Sequence, residues 1–105
     1  MTFEDYQKAA RSTAIYPQEY GMAYVALGLT GEAGEVADKI KKIYRDTDHV
    51  WHAKDIAKEL GDVLWYLANA AHEFGYTLED IAKMNAEKLS SRAERGVLQG
   101  SGDER

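Results

Sequence analysis

Two pairs of acidic residues stand inside the most apolar stretches of this 105-residue chain. Glu32 and Glu35 lie in the segment GLTGEAGEVADKIKK, and Glu59 and Asp62 lie in KELGDVLWYLANAA. Residues three apart on an α-helix project from nearly the same face, one turn apart. If the two helices face each other, the four carboxylates converge on one space and repel each other unless a cation lies among them. The pattern therefore indicates a metal site.

The donor atoms in this pattern favour a hard divalent cation. Carboxylate oxygens are the ligands of Mg²⁺, with Mn²⁺ as a substitute, whereas zinc and iron sites draw on cysteine or histidine. The chain has no cysteine, and none of its histidines follows a glutamate by three residues as in di-iron bundles. We interpret His49, His52 and His72 as surface or loop residues and predict an all-oxygen site for Mg²⁺.

A plainer interpretation stays open for each acid taken alone, because a carboxylate on a helix is most often solvated. Glu35 has Lys39 four residues further on, so an ordinary salt bridge between the two is open. Glu59 and Asp62 have no basic residue at that spacing. The two pairs together are harder to explain as a solvated surface, and they favour a shared cation.

A cation held by carboxylates points to phosphate chemistry. Mg²⁺ keeps several waters and binds through a few carboxylates together with substrate phosphates. It neutralises charge on a polyphosphate and lowers the pKa of a bound water, and a glutamate that is not engaged with the metal can take the proton. The residues predict a metal-dependent phosphoanhydride hydrolase, and they do not say which bond breaks.

Composition limits the class of protein. The length suits one domain with one core, and the net charge of −5 argues against a protein that binds nucleic-acid polymers. No apolar run approaches the ~20 residues that cross a bilayer, so no membrane association is expected. The opening residues lack the apolar region of a signal peptide. Together with the absence of cysteine, these features favour a cytoplasmic protein.

Apolar periodicity and capping signals predict four helices and no convincing strand, which is an all-α domain. Thr2 and Thr77 are each followed three residues later by an aspartate, the pattern of a capping box. Gly75 is placed to end the third helix. The predicted helices run from about 3 to 13, 20 to 44, 53 to 74 and 78 to 92, with polar loops over 12–19 and 45–52.

Glycines leave parts of this picture open. Gly28, Gly31 and Gly34 lower the helix propensity of the second helix by up to ~1 kcal/mol each relative to alanine, so they mark a kink or a close approach of another group.

We assign residues 1–95 to a single all-α domain and residues 96–105 to a Gly-rich C-terminal tail. The tail is either a frayed terminus or a loop that orders over bound phosphate.

The order of the acidic motifs resembles a known family. GLTGEAGEVADKIKK followed by KELGDVLWYLANAA is similar to the MazG-like all-α nucleoside triphosphate pyrophosphohydrolases, whose signature is Glu-x-x-Glu on one helix and Glu-x-x-Asp on the next. FEDYQKAARSTAIYP and MNAEKLSSR resemble the small single-domain members in the same order. The resemblance spans nearly the whole chain, and the two motifs in order are fairly specific.

The resemblance implies a function and an assembly. Glu32, Glu35, Glu59 and Asp62 would be catalytic and hold Mg²⁺, and water would attack the α-phosphorus of a nucleoside triphosphate to release a monophosphate and pyrophosphate. The four-helix, bundle-like fold would be completed by oligomerisation, so a homodimer or homotetramer is expected. A specialised dUTP, dCTP or phosphoribosyl-ATP pyrophosphatase remains an alternative, as does a non-catalytic helical module that binds nucleotide or a partner.

Basic and polar residues are candidates for binding the phosphates. The resemblance extends to Asn85, Lys88 and Arg92, which fall on one face of the last predicted helix. Lys88 and Arg92 can bind phosphate oxygens, and their plainer interpretation is a solvated helix face. Lys39 and Lys42 follow the first acidic motif by one and two turns. They are further candidates, although lysines in such positions are usually solvated.

Aromatic residues are candidates for contact with the base. Tyr66 lies one turn beyond Asp62 and can stack on a nucleobase, or it can simply pack in the core. Trp51 and Trp65 are further candidates, and we expect Trp65 to pack in the core or in a subunit interface.

Overall fold

A computed structural model describes residues 1–46 and 52–105 of the chain. Its elements in chain order are helix α1 (Phe3–Ser12), a 3₁₀ turn (Gln18–Tyr20), α2 (Gly21–Arg45), α3 (Ala53–Glu73) and α4 (Leu78–Glu94). No strand occurs among the described residues, so the prediction of an all-α fold is confirmed. The predicted helix bounds lie within two residues of those observed, and the 3₁₀ turn at the end of the first loop was not foreseen.

Capping boxes begin two of the helices. The Thr2 hydroxyl accepts a hydrogen bond from the Asp5 main-chain N–H at 3.0 Å, and the Asp5 carboxylate accepts one from the Thr2 N–H at 3.2 Å. Thr77 and Asp80 repeat this arrangement at the start of α4, with both bonds at 3.0 Å. Each cap satisfies main-chain donors that would otherwise lack partners, so both helix starts follow from the sequence.

A glycine ends α3 and directs the chain into α4. Gly75 adopts the left-handed conformation with φ of 83°. The main-chain N–H of Gly75 donates to His72 at 3.0 Å, and that of Tyr76 donates to Ala71 at 2.8 Å. This pair of bonds is the Schellman arrangement, which favours glycine because no side chain opposes a positive φ. The predicted role of Gly75 is confirmed.

The packing of the single chain is open. Helices α2 and α3 form the main antiparallel hairpin, while α1 and α4 pack on α3 and on each other. Among the described residues, α4 makes no contact with α2. The Cα radius of gyration is 16.7 Å, against about 13 Å for a compact domain of this length. One chain therefore leaves helix faces uncovered.

A polar network joins α1 to the end of α3. Asn69 is fully buried, and its side-chain oxygen accepts a hydrogen bond from Arg11 at 3.1 Å. Arg11 also donates to the Tyr16 hydroxyl at 2.9 Å, and Tyr16 in turn donates to the Glu73 carboxylate. These bonds hold the loop between α1 and α2 against α3, because each buried polar group needs its partner.

No helix among the described residues combines the length and the apolar character that a bilayer span requires.

Candidate metal and nucleotide site

Helices α2 and α3 bring three carboxylates together. One oxygen each of Glu32, Glu59 and Asp62 lies within 4.8 Å of the other two. Glu32 and Glu59 are half-buried between the helices, and Asp62 is exposed. Glu35 is exposed and stands outside this group, one turn beyond Glu32. We call Glu32, Glu59 and Asp62 the acidic cluster.

The acidic cluster is electrostatically unfavourable on its own. The pKa of Glu32 is raised, first by desolvation and then by the negative charges of Asp62, Glu59 and Glu35. Like charges at short distance favour the protonated form of one member. A group whose carboxylates oppose each other's ionisation is suited to a cation that removes the repulsion.

One lysine reaches the acidic cluster from α2. Lys39 Nζ lies 3.6 Å from a carboxylate oxygen of Glu59 on α3. The spacing had left open a salt bridge between Lys39 and Glu35; among the ion pairs of the described residues, Lys39 joins Glu59 instead. The pairing follows from helix packing, because Glu59 lies across the α2–α3 interface. Lys42 pairs with Asp38 at 2.7 Å on α2 itself.

The charge and the donor atoms fit a divalent cation. Among the described residues, the acidic cluster has three carboxylates and one lysine paired with it, which leaves two negative charges when all three carboxylates are ionised. The donors are all oxygens, as Mg²⁺ and Mn²⁺ prefer. His52 and His72 are exposed and do not join the acidic cluster. His49 and Trp51 lie outside the described residues.

An aromatic wall borders the acidic cluster. Tyr66 and Trp65 line a cavity together with Glu32 and Asp62. The two rings meet edge to face, with centroids 4.9 Å apart. The position of Trp65 is also fixed by a hydrogen bond, because its indole N–H donates to the Thr13 hydroxyl at 2.8 Å. A planar ligand that enters this cavity would meet an aromatic surface and carboxylates at once.

Gly28 and Tyr24 on α2 hold Tyr66 in place. A methyl group on Gly28 would overlap the Tyr66 ring, so the glycine permits a close approach. The pKa of Tyr66 is raised, first by burial and then by a hydrogen bond with Tyr24. Tyr24 stacks on Tyr16 with centroids 5.0 Å apart. Helix α2 runs without interruption through Gly28, so the close-approach interpretation applies there.

The other two glycines of α2 have no such neighbour. A methyl group on Gly31 or Gly34 would meet nothing within 4 Å among the described residues. The sequence pattern treated the three glycines alike, and it gave no reason to single out Tyr24. Gly28 differs from the other two glycines because it lies four residues after Tyr24, on the same face of α2. This spacing places both residues against the Tyr66 ring, but only the packing of α3 on α2 reveals that contact.

The predicted phosphate-binding residues of α4 lie apart from the acidic motif of α2. Asn85 and Lys88 are exposed, whereas Arg92 is buried. Since α4 does not contact α2 among the described residues, a single chain does not bring these side chains to Glu32. Lys88 and Arg92 both contact Asp103 of the C-terminal tail instead.

The C-terminal tail is a hydrogen-bonded loop on α4. The side chain of Arg105 donates to the main-chain carbonyls of Val97, Leu98 and Gly102 at 3.1, 2.8 and 2.7 Å. Arg95, which directly follows α4, donates to the main-chain oxygen of Arg105 at 2.7 Å. The tail thus folds around one arginine rather than fraying.

Comparison with known proteins identifies the family. The model of the MazG nucleotide pyrophosphohydrolase domain matches residues 22–97. The chain belongs to this family. The matched MazG segment contains both acidic motifs and the polar face of α4, and it stops before most of the C-terminal tail.

Two relatives cover most or all of this MazG chain. Gene 37 protein of Mycobacterium phage L5 is 47% identical over 114 aligned positions that span the whole of both chains. The protein YvdC of Bacillus subtilis (strain 168) is 34% identical over 85 positions, which cover 72% of this chain and 79% of YvdC. No solved structure gives a significant match.

Proposed function

We propose that this MazG domain hydrolyses a nucleoside triphosphate to the monophosphate and pyrophosphate in a reaction that depends on Mg²⁺. The observation that carries the proposal is the acidic cluster, in which two facing helices place three carboxylates within 4.8 Å of one another. Membership of the MazG nucleotide pyrophosphohydrolase family supports the reaction class. The cluster offers the oxygen donors that a cation site of that class would need, which supports the proposal.

Glu32, Glu59 and Asp62 would hold the metal. When bound, Mg²⁺, or Mn²⁺ in its place, supplies positive charge to the phosphate oxygens. Lys39 is half-buried beside Glu59 and can donate to the same phosphates, while Lys42 is further along the helix and paired with Asp38.

Glu35 is suited to be the general base. It is exposed, stands one turn from Glu32 and has no ion pair among the described residues. A water oxygen attacks the α-phosphorus and its proton passes to the Glu35 carboxylate. The bond between the α-phosphorus and the bridging oxygen breaks, and pyrophosphate leaves with the electron pair.

Tyr66 and Trp65 would contact the nucleobase. They form the aromatic wall of the cavity that Glu32 and Asp62 also line, so a base on the wall leaves its phosphates directed to the carboxylates. Stacking on such a surface discriminates little between a purine and a pyrimidine ring. The base preference then depends on groups at the edge of the cavity.

We also propose that the working unit is a homodimer or homotetramer. Large apolar side chains are exposed on the single chain, among them Leu27 on α2 at 75% and Leu60 on α3 at 53%. Gly31 follows Leu27 by four residues on the same face of α2 and is open. A second copy packed on this face would cover apolar surface that soluble proteins rarely leave exposed. It would also bring a second α4, with Asn85, Lys88 and Arg92, towards the acidic cluster.

A nucleotide panel tests the reaction. The purified chain is incubated with Mg²⁺ and each common ribo- and deoxynucleoside triphosphate, and pyrophosphate and orthophosphate are measured separately. We expect pyrophosphate release that EDTA abolishes. Release of orthophosphate alone would contradict the proposal. A profile confined to dUTP, dCTP or phosphoribosyl-ATP would identify a specialised pyrophosphatase.

Charge-neutral variants test the acidic cluster. Asp62→Asn and Glu59→Gln should lose at least a hundredfold in turnover while the helical circular dichroism signal is kept. Glu4→Gln, on the exposed face of α1, is the matched control and should keep full activity. If Mg²⁺ and nucleotide bind tightly to the unmodified chain without turnover, the chain is a non-catalytic nucleotide-binding module.

A further inference from the structure

The C-terminal loop places a carboxylate on the basic residues of α4. We propose that the Asp103 carboxylate is an internal anion that occupies the phosphate-binding position on Lys88, and that a phosphate chain must displace it to bind. This inference rests on the proposed role of Lys88 in holding the triphosphate. It adds a residue that lies beyond the segment matched by the family model.

The contact between Lys88 and Asp103 is direct but exposed. Lys88 Nζ lies 3.0 Å from Asp103 Oδ1, and the Asp103 side chain is 77% exposed. The pKa of Asp103 is lowered, first by its hydrogen bond with Lys88, so the group is an anion at neutral pH. Exposed ion pairs are weak, because water screens both partners. The same oxygen also lies 3.3 Å from Arg92 Nη2, so a phosphate chain that replaces the carboxylate on Lys88 also breaks this longer contact.

Arg92 has a different role from Lys88 in this contact. It is only 6% exposed, and its Nη2 donates to the main-chain carbonyl of Asp103 at 2.6 Å and to the carboxylate at 3.3 Å. Its Nε is buried and has no acceptor among the described residues. Arg92 thus holds the main chain of the loop as well as its carboxylate, whereas the ion pair of Lys88 among the described residues is with the Asp103 side chain.

The loop can keep its fold when the Asp103 side chain moves away. Arg105 closes the loop from inside through bonds to three main-chain carbonyls, and Arg95 holds the Arg105 carbonyl. None of these bonds uses the Asp103 carboxylate. Displacement of that carboxylate by phosphate therefore requires a side-chain rotation rather than unfolding of the tail. Its return would favour release of a bound phosphate chain.

Titration calorimetry with tripolyphosphate tests the inference without relying on turnover. The full chain, Asp103→Asn and Glu104→Gln are titrated with tripolyphosphate in the presence of Mg²⁺. Asp103→Asn removes the charge and keeps the main-chain carbonyl that Arg92 binds. We expect it to bind about two- to fivefold more tightly, the range that loss of an exposed ion pair gives. Glu104→Gln removes the same charge one residue further on and should match the unmodified chain.

A double-variant cycle locates the effect. In a Lys88→Gln background, which itself binds more weakly, Asp103→Asn should give no further gain. A gain of the same size there, unchanged or weaker binding by Asp103→Asn alone, or no binding of tripolyphosphate by any variant would each overturn the inference. Hydrolysis with no Asp103→Asn effect would refute this inference and leave the proposed function intact. The predicted binding gain in a chain without hydrolysis would do the reverse.

Discussion

Glu32 lies close to three other carboxylates, those of Asp62, Glu59 and Glu35. Its pKa is raised because it is desolvated and because three other carboxylates act on it. A residue in such surroundings opposes folding when no cation is present and supports it when one is bound. If Glu32 binds a cation as proposed, activity would favour the glutamate and the stability of the metal-free fold would favour a neutral residue at this position.

Thermal unfolding with and without Mg²⁺ should reveal this opposition. In EDTA, Glu32→Gln should unfold at a higher temperature than the unmodified chain, because one repelling charge is gone. Mg²⁺ should raise the unfolding temperature of the unmodified chain and leave that of Glu32→Gln almost unchanged. Equal shifts with Mg²⁺ in both proteins would show that the cation binds elsewhere. Glu4→Gln serves as the control for loss of an exposed charge.

Gly28 offers a test of how Tyr66 is held. Gly28→Ala adds a methyl group where the Tyr66 ring lies, so it should cost about 1–3 kcal/mol of unfolding free energy in urea despite the better helix propensity of alanine. In a Tyr66→Ala background the same change should be neutral or stabilising. A similar cost in both backgrounds would mean that Gly28 matters for a reason other than the ring.

At the scale of the elements, local signals determine where helices begin and end. The capping boxes and the left-handed Gly75 act through residues within about five positions of each other, so they are readable from sequence. The acidic motifs were readable for the same reason, because helical spacing places Glu32 and Glu35, or Glu59 and Asp62, one turn apart.

The Asp80 cap gives a prediction about pH. The pKa of Asp80 is lowered by its hydrogen bonds with the main chain and hydroxyl of Thr77. A lowered folded-state pKa means that the ionised group stabilises the fold above its unfolded value, about 3.9, and that this contribution is lost as pH falls through the folded value. The stability advantage of the unmodified chain over Asp80→Asn should therefore be largest near neutral pH and shrink in acid, as measured by urea unfolding across pH.

Thr77→Ser is the control for this comparison, because it keeps a hydroxyl at the cap and should behave as the unmodified chain does. An advantage that stays constant from neutral pH into acid would assign the effect of Asp80→Asn to something other than its charge.

Contacts between distant parts of the chain were not readable from the sequence. Arg11 and Asn69 are 58 positions apart, and nothing in the local pattern relates them. The same holds for Lys39, whose partner Glu59 was hidden by the more obvious spacing to Glu35. The fold of the tail around Arg105 depends on main-chain carbonyls, which leave no trace in side-chain patterns. Tertiary packing decides these contacts, so only the helices and motifs could be predicted.

At the scale of the whole molecule, the single chain is larger than its length requires. Its radius of gyration is 16.7 Å, and Leu27 and Leu60 are exposed. Both observations indicate that the α2–α3 hairpin has an uncovered apolar face. Packing against a partner would contribute about 25 cal/mol of favourable free energy for each Å² of apolar surface that it removes from water. The open Gly31 and Gly34 lie on α2 where a second helix can approach closely.

Light scattering after size exclusion should give a mass that is a multiple of 11.8 kDa. Leu27→Glu places a charge on the uncovered face and should shift the protein towards the monomer by at least tenfold in dissociation constant. Ala9→Glu adds the same charge to the exposed side of α1 and should leave the assembly intact. A monomeric unmodified chain at tens of micromolar would contradict the proposed assembly.

The separation of α4 from α2 within one chain has a consequence for mixtures of two inactive variants. If α4 acts on the acidic cluster of its neighbour, Asp62→Asn and Lys88→Ala should each be inactive alone, yet together they should recover activity. A randomly mixed dimer restores one intact centre in half of the particles, or about a quarter of the normal rate. Such rescue is impossible for centres built wholly from one polypeptide, so pyrophosphate release by a mixture of the two inactive variants would show that α4 of one chain serves the acidic cluster of the other.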